Sequence, residues 1–166
     1  TLGVAYLASG SPDRAEQWLA AAVEKRPKDI EAMFQLAEAQ LAANKPDLAL
    51  ATRRRAYDLD PSRADIGLSL AREYEDLGRT DDAADMYTKL TAPSEASLDA
   101  RARAGRFFAR MGNIAAARAQ GEEIRKVDPN NAAGLYLVAE GLLLDKKLDL
   151  ARRTFQQAVD SEPVPP

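Results

Sequence analysis

The sequence predicts an all-α solenoid made of repeated pairs of antiparallel helices, and two series of residues with one common spacing support this prediction. Four prolines are separated by 34, 68 and 34 residues: Pro27, Pro61, Pro129 and Pro163. A series of small residues keeps the step of 34 without interruption: Ala15, Ala49, Ala83, Ala117 and Ala151. A fixed period of a few tens of residues indicates a repeat architecture, in which each unit buries its apolar face against its neighbours. We therefore expect a single domain over residues 1–166 with five repeats, at residues 1–29 (truncated at its start), 30–63, 64–97, 98–131 and 132–165.

The first helix of each repeat, helix A, is predicted from apolar residues at helical spacing. In the second repeat Met33, Leu36 and Ala37 share one face, and Gln40 is its polar member. The corresponding positions of the other repeats hold a large apolar, a small, and an aromatic or large residue: Leu2, Gly3 and Tyr6; Leu70, Ala71 and Tyr74; Ala104, Gly105 and Phe108; Val138, Ala139 and Leu142. One packing face therefore recurs in every repeat.

A turn and a second helix, helix B, follow each helix A. The turn positions favour a left-handed residue except in the last repeat, which has a lysine: Gly10, Asn44, Gly78, Gly112 and Lys146. Helix B is expected to begin near Pro12, Pro46, Thr80, Ile114 and Leu148. Because Pro93 comes two residues early in the third repeat, we expect that helix B to end short. The net charge changes there from −5 over residues 64–97 to +3 over residues 98–131.

Helix B supplies the packing between repeats. The alanine series should allow close approach of helices, and Leu19, Tyr87 and Phe155 should cover the neighbouring repeat. Arg53 and Gly121 replace that large residue in the second and fourth repeats. We expect Arg53 to lay its aliphatic stem along the interface with its charge outward. We expect Gly121 to leave looser packing between the fourth and fifth repeats.

The composition excludes most catalytic chemistry. The chain is 46% hydrophobic and 30% charged, as in a soluble globular protein, and it contains neither cysteine nor histidine. Disulfides, thiolate nucleophiles, imidazole bases and the usual zinc, haem and iron–sulfur ligands are therefore excluded. No clustered acidic loop predicts a calcium or magnesium site. We expect no enzyme activity, no cofactor and no metal.

Other features bear on partners and compartment. The run Arg53-Arg54-Arg55 splays around a helix and the chain has a net charge of −3, so nucleic-acid binding is not expected. No apolar stretch is long enough to span a membrane. The start at Thr1, without methionine or signal pattern, suggests a piece of a larger protein. Bacterial cytoplasm and periplasm are both compatible with the absence of cysteine, so localisation stays unknown.

The residues at equivalent positions of the five repeats form a pattern that resembles the tetratricopeptide repeat family. The family pattern is matched at both ends of the chain, by Leu2-Gly3, Tyr6, Ala15, Leu19, Ala22 and Pro27, and by Val138-Ala139, Leu142, Ala151, Phe155, Ala158 and Pro163. The tryptophan that the family has at the head of helix A is replaced by Met33, Gly67, Arg101 and Leu135. The chaperone-tail clamp of the family is absent, since its places hold Val4, Gln35, Asp65 and Ser69.

The resemblance implies a right-handed superhelix whose concave wall is formed by helix A residues not used for packing. Such a wall would bind a peptide or helical segment, with apolar residues providing affinity and a charged row setting direction. The groove residues predicted for this role are Phe34, Glu38, Leu41, Leu68, Arg72, Arg106, Arg110, Tyr136, Glu140 and Leu143. The predicted function is a non-catalytic interaction scaffold with a protein or peptide partner, and the composition resembles that of bacterial proteins of envelope assembly and exopolysaccharide export.

Alternatives remain open at this point. The groove residues could merely complete the surface, and the stripe Arg103, Arg106 and Arg110 could either bind an acidic segment or be a solvated face. The last repeat is rich in leucine and could pair two copies of the chain into a homodimer, or it could be covered by a further repeat: Leu142, Leu143, Leu144, Leu148 and Leu150.

Overall fold

The computed structural model describes residues 2–161 of the chain. These residues form ten α-helices and no strand: α1 (Leu2–Ala8), α2 (Pro12–Lys25), α3 (Ile30–Ala42), α4 (Pro46–Leu59), α5 (Ala64–Asp76), α6 (Thr80–Thr91), α7 (Leu98–Arg110), α8 (Ile114–Val127), α9 (Ala132–Leu144) and α10 (Leu148–Ser161). The predicted all-α fold is therefore confirmed. The five helix B starts lie at the predicted residues.

A tight turn with one left-handed residue follows α1, α3, α5, α7 and α9. The φ angle is positive at all five predicted positions, including Lys146 at 58°. At this last turn the N–H of Lys147 donates to the carbonyl of Leu142 at 2.9 Å, and the N–H of Lys146 donates to that of Leu143 at 3.0 Å. This pair of bonds is a Schellman motif, which ends a helix by satisfying its last carbonyls. Lysine therefore adopts the left-handed conformation here although it lacks the freedom of glycine.

The chain divides into two compact units between Arg79 and Thr80. In the first unit, α3 packs against α2 and α4, and in the second, α9 packs against α8 and α10. All five residues of the alanine series are 0% exposed, as expected for close helix packing. The assignment to one domain with five repeats stays a prediction.

The early proline has the expected effect on α6. This helix has 12 residues, whereas α4 and α8 have 14 each. It ends at Thr91, two residues before Pro93. The predicted short third helix B is confirmed.

The expectation for Arg53 is wrong. Its side chain is 2% exposed and its guanidinium points inward, where it pairs with Glu38 and Glu73. The physical reason is that the neighbouring α5 brings a carboxylate, Glu73, to the same buried position. A buried pair of opposite charges replaces the apolar contact that the other repeats use.

The expectation for Gly121 is also wrong. A Cβ at Gly121 would lie 2.8 Å from the carbonyl oxygen of Gly134 and 2.8 Å from the Cβ of Leu137. The missing side chain thus lets the backbone of α9 approach α8 closely instead of leaving a gap. At Gly105, by contrast, a Cβ would meet the terminal methyl carbons of Leu137, which belong to a flexible side chain.

The leucines of the last helix pair differ in burial. Leu142 is part of the core with Val138 and Ala151, so it is not available at the surface. The other four are exposed: Leu143 by 46%, Leu144 by 66%, Leu148 by 64% and Leu150 by 50%.

Candidate partner-binding surface

A pocket of about 540 Å³ lies on the second unit, between α7, the start of α8, and α9. Its volume falls within the range of sites that take small ligands or peptide side chains. The lining residues come from the helix faces that are not used for packing, together with part of the core: Arg106, Ala109, Arg110, Ile114, Ala133, Tyr136, Leu137 and Glu140. Most of this lining is apolar.

The floor of the pocket is formed by a core side chain and by an aromatic ring that packs on a second ring. Leu137 is 3% exposed and forms part of the core. Tyr136 is half-buried, and its ring lies 5.9 Å from the ring of Phe155, at an interplanar angle of 51°. A tilted aromatic pair of this kind contributes packing energy and limits ring movement. Tyr136 therefore presents a preorganised apolar face to the pocket.

Two opposite charges line the same pocket. Arg106 of α7 is exposed, and no described residue forms an ion pair with it. Glu140 of α9 is half-buried, and its Oε2 atom is buried with no hydrogen-bond partner among the described residues. The pocket thus offers donors on α7 and an unsatisfied acceptor on α9.

Four of the ten predicted groove residues meet in this pocket: Arg106, Arg110, Tyr136 and Glu140. Leu143 lies one turn further along α9, is exposed, and does not line the pocket. Of the stripe of three arginines, Arg103 is bound to Asp99 at 2.9 Å instead and lies outside the lining. A binding role for these residues stays a prediction.

The predicted residues of the first unit have other surroundings. Phe34 lies under the guanidinium of Arg53, with 5.5 Å between the carbon and the ring centroid, and Glu38 is ion-paired to the same guanidinium. The remaining members are a half-buried Leu68, an exposed Leu41 and an exposed Arg72 that lies 3.8 Å from Asp76. Phe34 and Glu38 are therefore already engaged by a buried charge.

That buried charge centre was missed by sequence reasoning. Arg53 Nη1 lies 2.6 Å from Glu73 Oε1, an ion pair in distance although its angle is poor for a hydrogen bond. The Glu73 side chain is only 7% exposed. Burial raises the pKa of the Glu73 carboxyl, and the nearby charge of Arg53 opposes this rise. The signal was present in the sequence. Among residues spaced by 34, Arg53 and Glu73 are each the charged member of a series that is otherwise apolar or small.

Arg101 is a second buried cation that sequence reasoning did not assign. Its Nη2 donates to the carbonyl oxygens of Pro93 at 2.9 Å and Ser94 at 3.2 Å, and its Nη1 donates to that of Thr91 at 3.3 Å. The guanidinium therefore donates to one carbonyl of the last turn of α6 and to two carbonyls of the loop that follows it. Other repeats hold uncharged residues at this position: Met33, Gly67 and Leu135.

Two features are absent from the residues that the structure describes. Within residues 2–161 no three acidic side chains come together in a way that could hold a metal ion. None of the helices in this range has the length and apolar character needed to cross a membrane.

Comparison with known protein families assigns the chain. Models described as tetratricopeptide repeat match residues 6–55, 68–124 and 103–165, which together exceed half of its length. The chain belongs to the tetratricopeptide repeat family. Tetratricopeptide repeats are general scaffolds for protein–protein interaction and are a non-catalytic type of fold.

Solved structures of tetratricopeptide repeat proteins share this fold. The crystal structure of MamA has a TM-score of 0.79 and 17% identity, covering 97% of this chain and 94% of that one. A tetratricopeptide repeat protein from Parabacteroides merdae ATCC 43184 has a TM-score of 0.78 and 20% identity, covering 95% and 63%. PilF of Pseudomonas aeruginosa has a TM-score of 0.69 and 20% identity, covering 99% and 75%. At these identities the likeness shows the fold alone.

One curated relative is similar in sequence. Over 87 residues, or 52% of the chain, this tetratricopeptide repeat segment is 31% identical to cellulose synthase operon protein C of Pseudomonas fluorescens (strain SBW25). The matched part amounts to 7% of the length of that relative.

Proposed function

We propose that this chain is a scaffold segment of a larger bacterial multi-repeat protein, and that it binds a peptide or helical segment of a partner on its helix A surface. The observation that supports this proposal is the pocket on the second unit. Four predicted groove residues line it, its floor is apolar, and charged groups lie at its walls. An apolar anchor surrounded by polar groups is the usual arrangement at the centre of a protein interface.

Tyr136 is expected to provide most of the affinity. Its ring is half-buried and held by Phe155, so a partner side chain packs on it without a large loss of conformational freedom. Removing an aromatic anchor of this kind costs about 2 kcal/mol or more of binding free energy, which corresponds to roughly thirtyfold in Kd. Arg106 contributes less, because its charge is exposed and solvated.

Capture of partners by the immobilised chain tests this proposal. Tyr136→Ala and Arg106→Ala are expected to reduce capture, and Phe34→Ala examines the first unit. Arg103→Ala is the matched control, since Arg103 lies on the same helix as Arg106 but is paired with Asp99 outside the pocket. Circular dichroism checks that each variant is folded. If all these variants captured every partner as well as the original chain does, the surface would not be the binding site.

We also propose that the parent protein serves bacterial envelope or exopolysaccharide assembly. The support is the partial similarity to cellulose synthase operon protein C. Deleting the gene in its own bacterium should then reduce secreted polysaccharide, measured by dye binding and sugar analysis. The chromosomal Tyr136→Ala change should reproduce part of this loss. Unchanged secretion after deletion would exclude the envelope role and leave the binding proposal standing.

A second candidate function is self-association through the last helix pair. The observation that favours it is the group of four exposed leucines at the end of α9 and the start of α10. Leu148→Glu should convert a dimer to a monomer in light scattering, whereas Val127→Glu, at an exposed apolar position on α8, should leave the mass unchanged. A monomer at high concentration of the unaltered chain would exclude this candidate.

A further inference from the structure

The two charges of the pocket occupy equivalent positions in successive repeats. Arg106 on α7 and Glu140 on α9 are 34 residues apart, and both line the same pocket. The helices α7 and α9 contact each other. Helices packed side by side have axes roughly 10 Å apart, so the pocket has a positive wall and a negative wall at about this separation.

Each wall requires a different chemical group. A guanidinium has only donors, so the group that binds Arg106 must accept, and a carboxylate of the ligand does this best. An ionised carboxylate only accepts, so the group that binds Glu140 must donate. The Oε2 atom of Glu140 is buried without a donor among the described residues, and a ligand ammonium or guanidinium would satisfy it while matching its charge.

The space between the walls is apolar. Ala109, Ala133, Tyr136 and Leu137 lie in the lining. An extended chain advances about 3.3 Å per residue and alternate side chains point to the same face, so charged residues two positions before and two positions after an apolar one present all three side chains to the pocket over roughly 13 Å. Because charged side chains are long, they can reach walls about 10 Å apart. An apolar side chain between them would then lie over the ring of Tyr136.

We propose that the pocket recognises a dipolar segment of a protein partner, in which an acidic and a basic residue flank an apolar one. The acidic residue binds Arg106, the basic residue binds Glu140, and the apolar side chain packs on Tyr136. This inference rests on the proposed function and names the chemistry of its ligand. A wholly acidic segment is disfavoured because it places a carboxylate beside Glu140, and a wholly basic segment is disfavoured because it places a cation beside Arg106.

Four synthetic peptides with the same apolar centre test the inference. They carry acidic–basic, basic–acidic, acidic–acidic and basic–basic ends, and their Kd values are measured by fluorescence anisotropy at low and at high salt. One of the two dipolar orders is expected to bind at least about tenfold more tightly than the acidic–acidic and basic–basic peptides, with the difference reduced by salt.

Charge exchange in the protein should move this preference in a defined way. Arg106→Glu should favour the basic–basic peptide, and Glu140→Arg should favour the acidic–acidic one. The double exchange should restore dipolar binding with the opposite order. Glu140→Gln is the conservative variant, and Arg103→Glu is the control that leaves the ranking unchanged.

The possible results separate this inference from the function on which it rests. If all four peptides bind equally and Tyr136→Ala abolishes binding, the surface binds peptides but the dipolar inference is wrong. If the acidic–acidic peptide binds most tightly, or if Glu140→Gln leaves the ranking unchanged, the inference is likewise overturned. If neither these peptides nor a random phage-displayed library yields a ligand that depends on Tyr136, both the inference and the peptide-binding function fail.

Discussion

Replacing Arg53 by methionine should destabilise the first unit through the carboxylate that it leaves behind. Arg53 is 2% exposed, and its partner Glu73 is 7% exposed. Glu38, the other partner, is 43% exposed and can be hydrated once the guanidinium is removed. The cost therefore arises mainly at Glu73, which stays buried without its counter-charge.

The expected loss is about 4 kcal/mol in the free energy of unfolding at neutral pH, since breaking a buried ion pair costs about 3–5 kcal/mol. With a denaturant slope of about 2 kcal/mol per molar urea, the unfolding midpoint should fall by about 2 M. Urea titrations followed by circular dichroism and by the fluorescence of Trp18, the single tryptophan, measure this shift. Arg72→Met is the matched control. Arg72 is 76% exposed and lies 3.8 Å from Asp76, so its loss should cost under about 1 kcal/mol.

The loss should depend on pH with a defined sign. Burial raises the pKa of Glu73 in the folded chain, so the stability that this group contributes is present below its unfolded pKa and is lost as pH rises through its folded pKa. Removing Arg53 removes the influence that lowers the pKa, and the pKa of Glu73 rises further. The destabilisation by Arg53→Met should thus be larger at about pH 8, well above the ordinary pKa of glutamate, than at about pH 5, which is close to that pKa.

A compensating change completes this test. In the double variant Arg53→Met with Glu73→Leu, the buried charge is gone, and most of the lost stability should return because an apolar pair can replace a buried ion pair at little cost. The reasoning would be refuted if Arg53→Met destabilised equally at both pH values, or if the second substitution restored nothing.

Three further predictions concern backbone contacts, and each is measured by urea unfolding. Gly121→Ala should cost about 1–3 kcal/mol because the new Cβ would meet backbone, whereas Gly105→Ala should cost less because it meets a movable side chain end. Arg101→Met should cost about 2–4 kcal/mol by removing the charged donor of carbonyls at the end of α6 and in the loop after it. Lysine at this position should not restore the loss because it lacks the planar fork of donors. Lys146→Gly should stabilise the chain by about 1 kcal/mol because glycine adopts a positive φ angle without strain. Asn44→Gly should give a smaller gain, since asparagine tolerates that conformation. An unchanged unfolding midpoint for Lys146→Gly would count against strain at this turn.

Helix boundaries could be predicted because their signals are local. A glycine or asparagine in the left-handed conformation ends one helix, and a residue such as Pro46 begins the next. Lys146 follows the same geometry because the hydrogen bonds of the helix end, and not its own preference, impose it. The short α6 follows from Pro93 for the same local reason.

Interactions between helices could be predicted only in part. The positions of Arg53 and Gly121 within their repeats predicted that they lie at packing sites. They did not predict which groups the two residues would contact. Arg53 turns inward because Glu73, distant in sequence, lies beside it, and Gly121 permits close contact because the backbone at Gly134 advances into the space. Similarly, the sequence did not show that four of the predicted groove residues, from α7 and α9, would line one pocket, and that one of them is an unsatisfied carboxylate.

The sequence by itself determined the repeat period, the order and limits of the helices, and the absence of cysteine and histidine chemistry, because these depend on residue type and on neighbours within a few positions. Tertiary structure alone decided where the charges of Arg53, Arg101 and Glu140 lie. The free energy of a charged group depends on whether its surroundings exclude water and supply a partner, and those surroundings are assembled from residues that are remote along the chain.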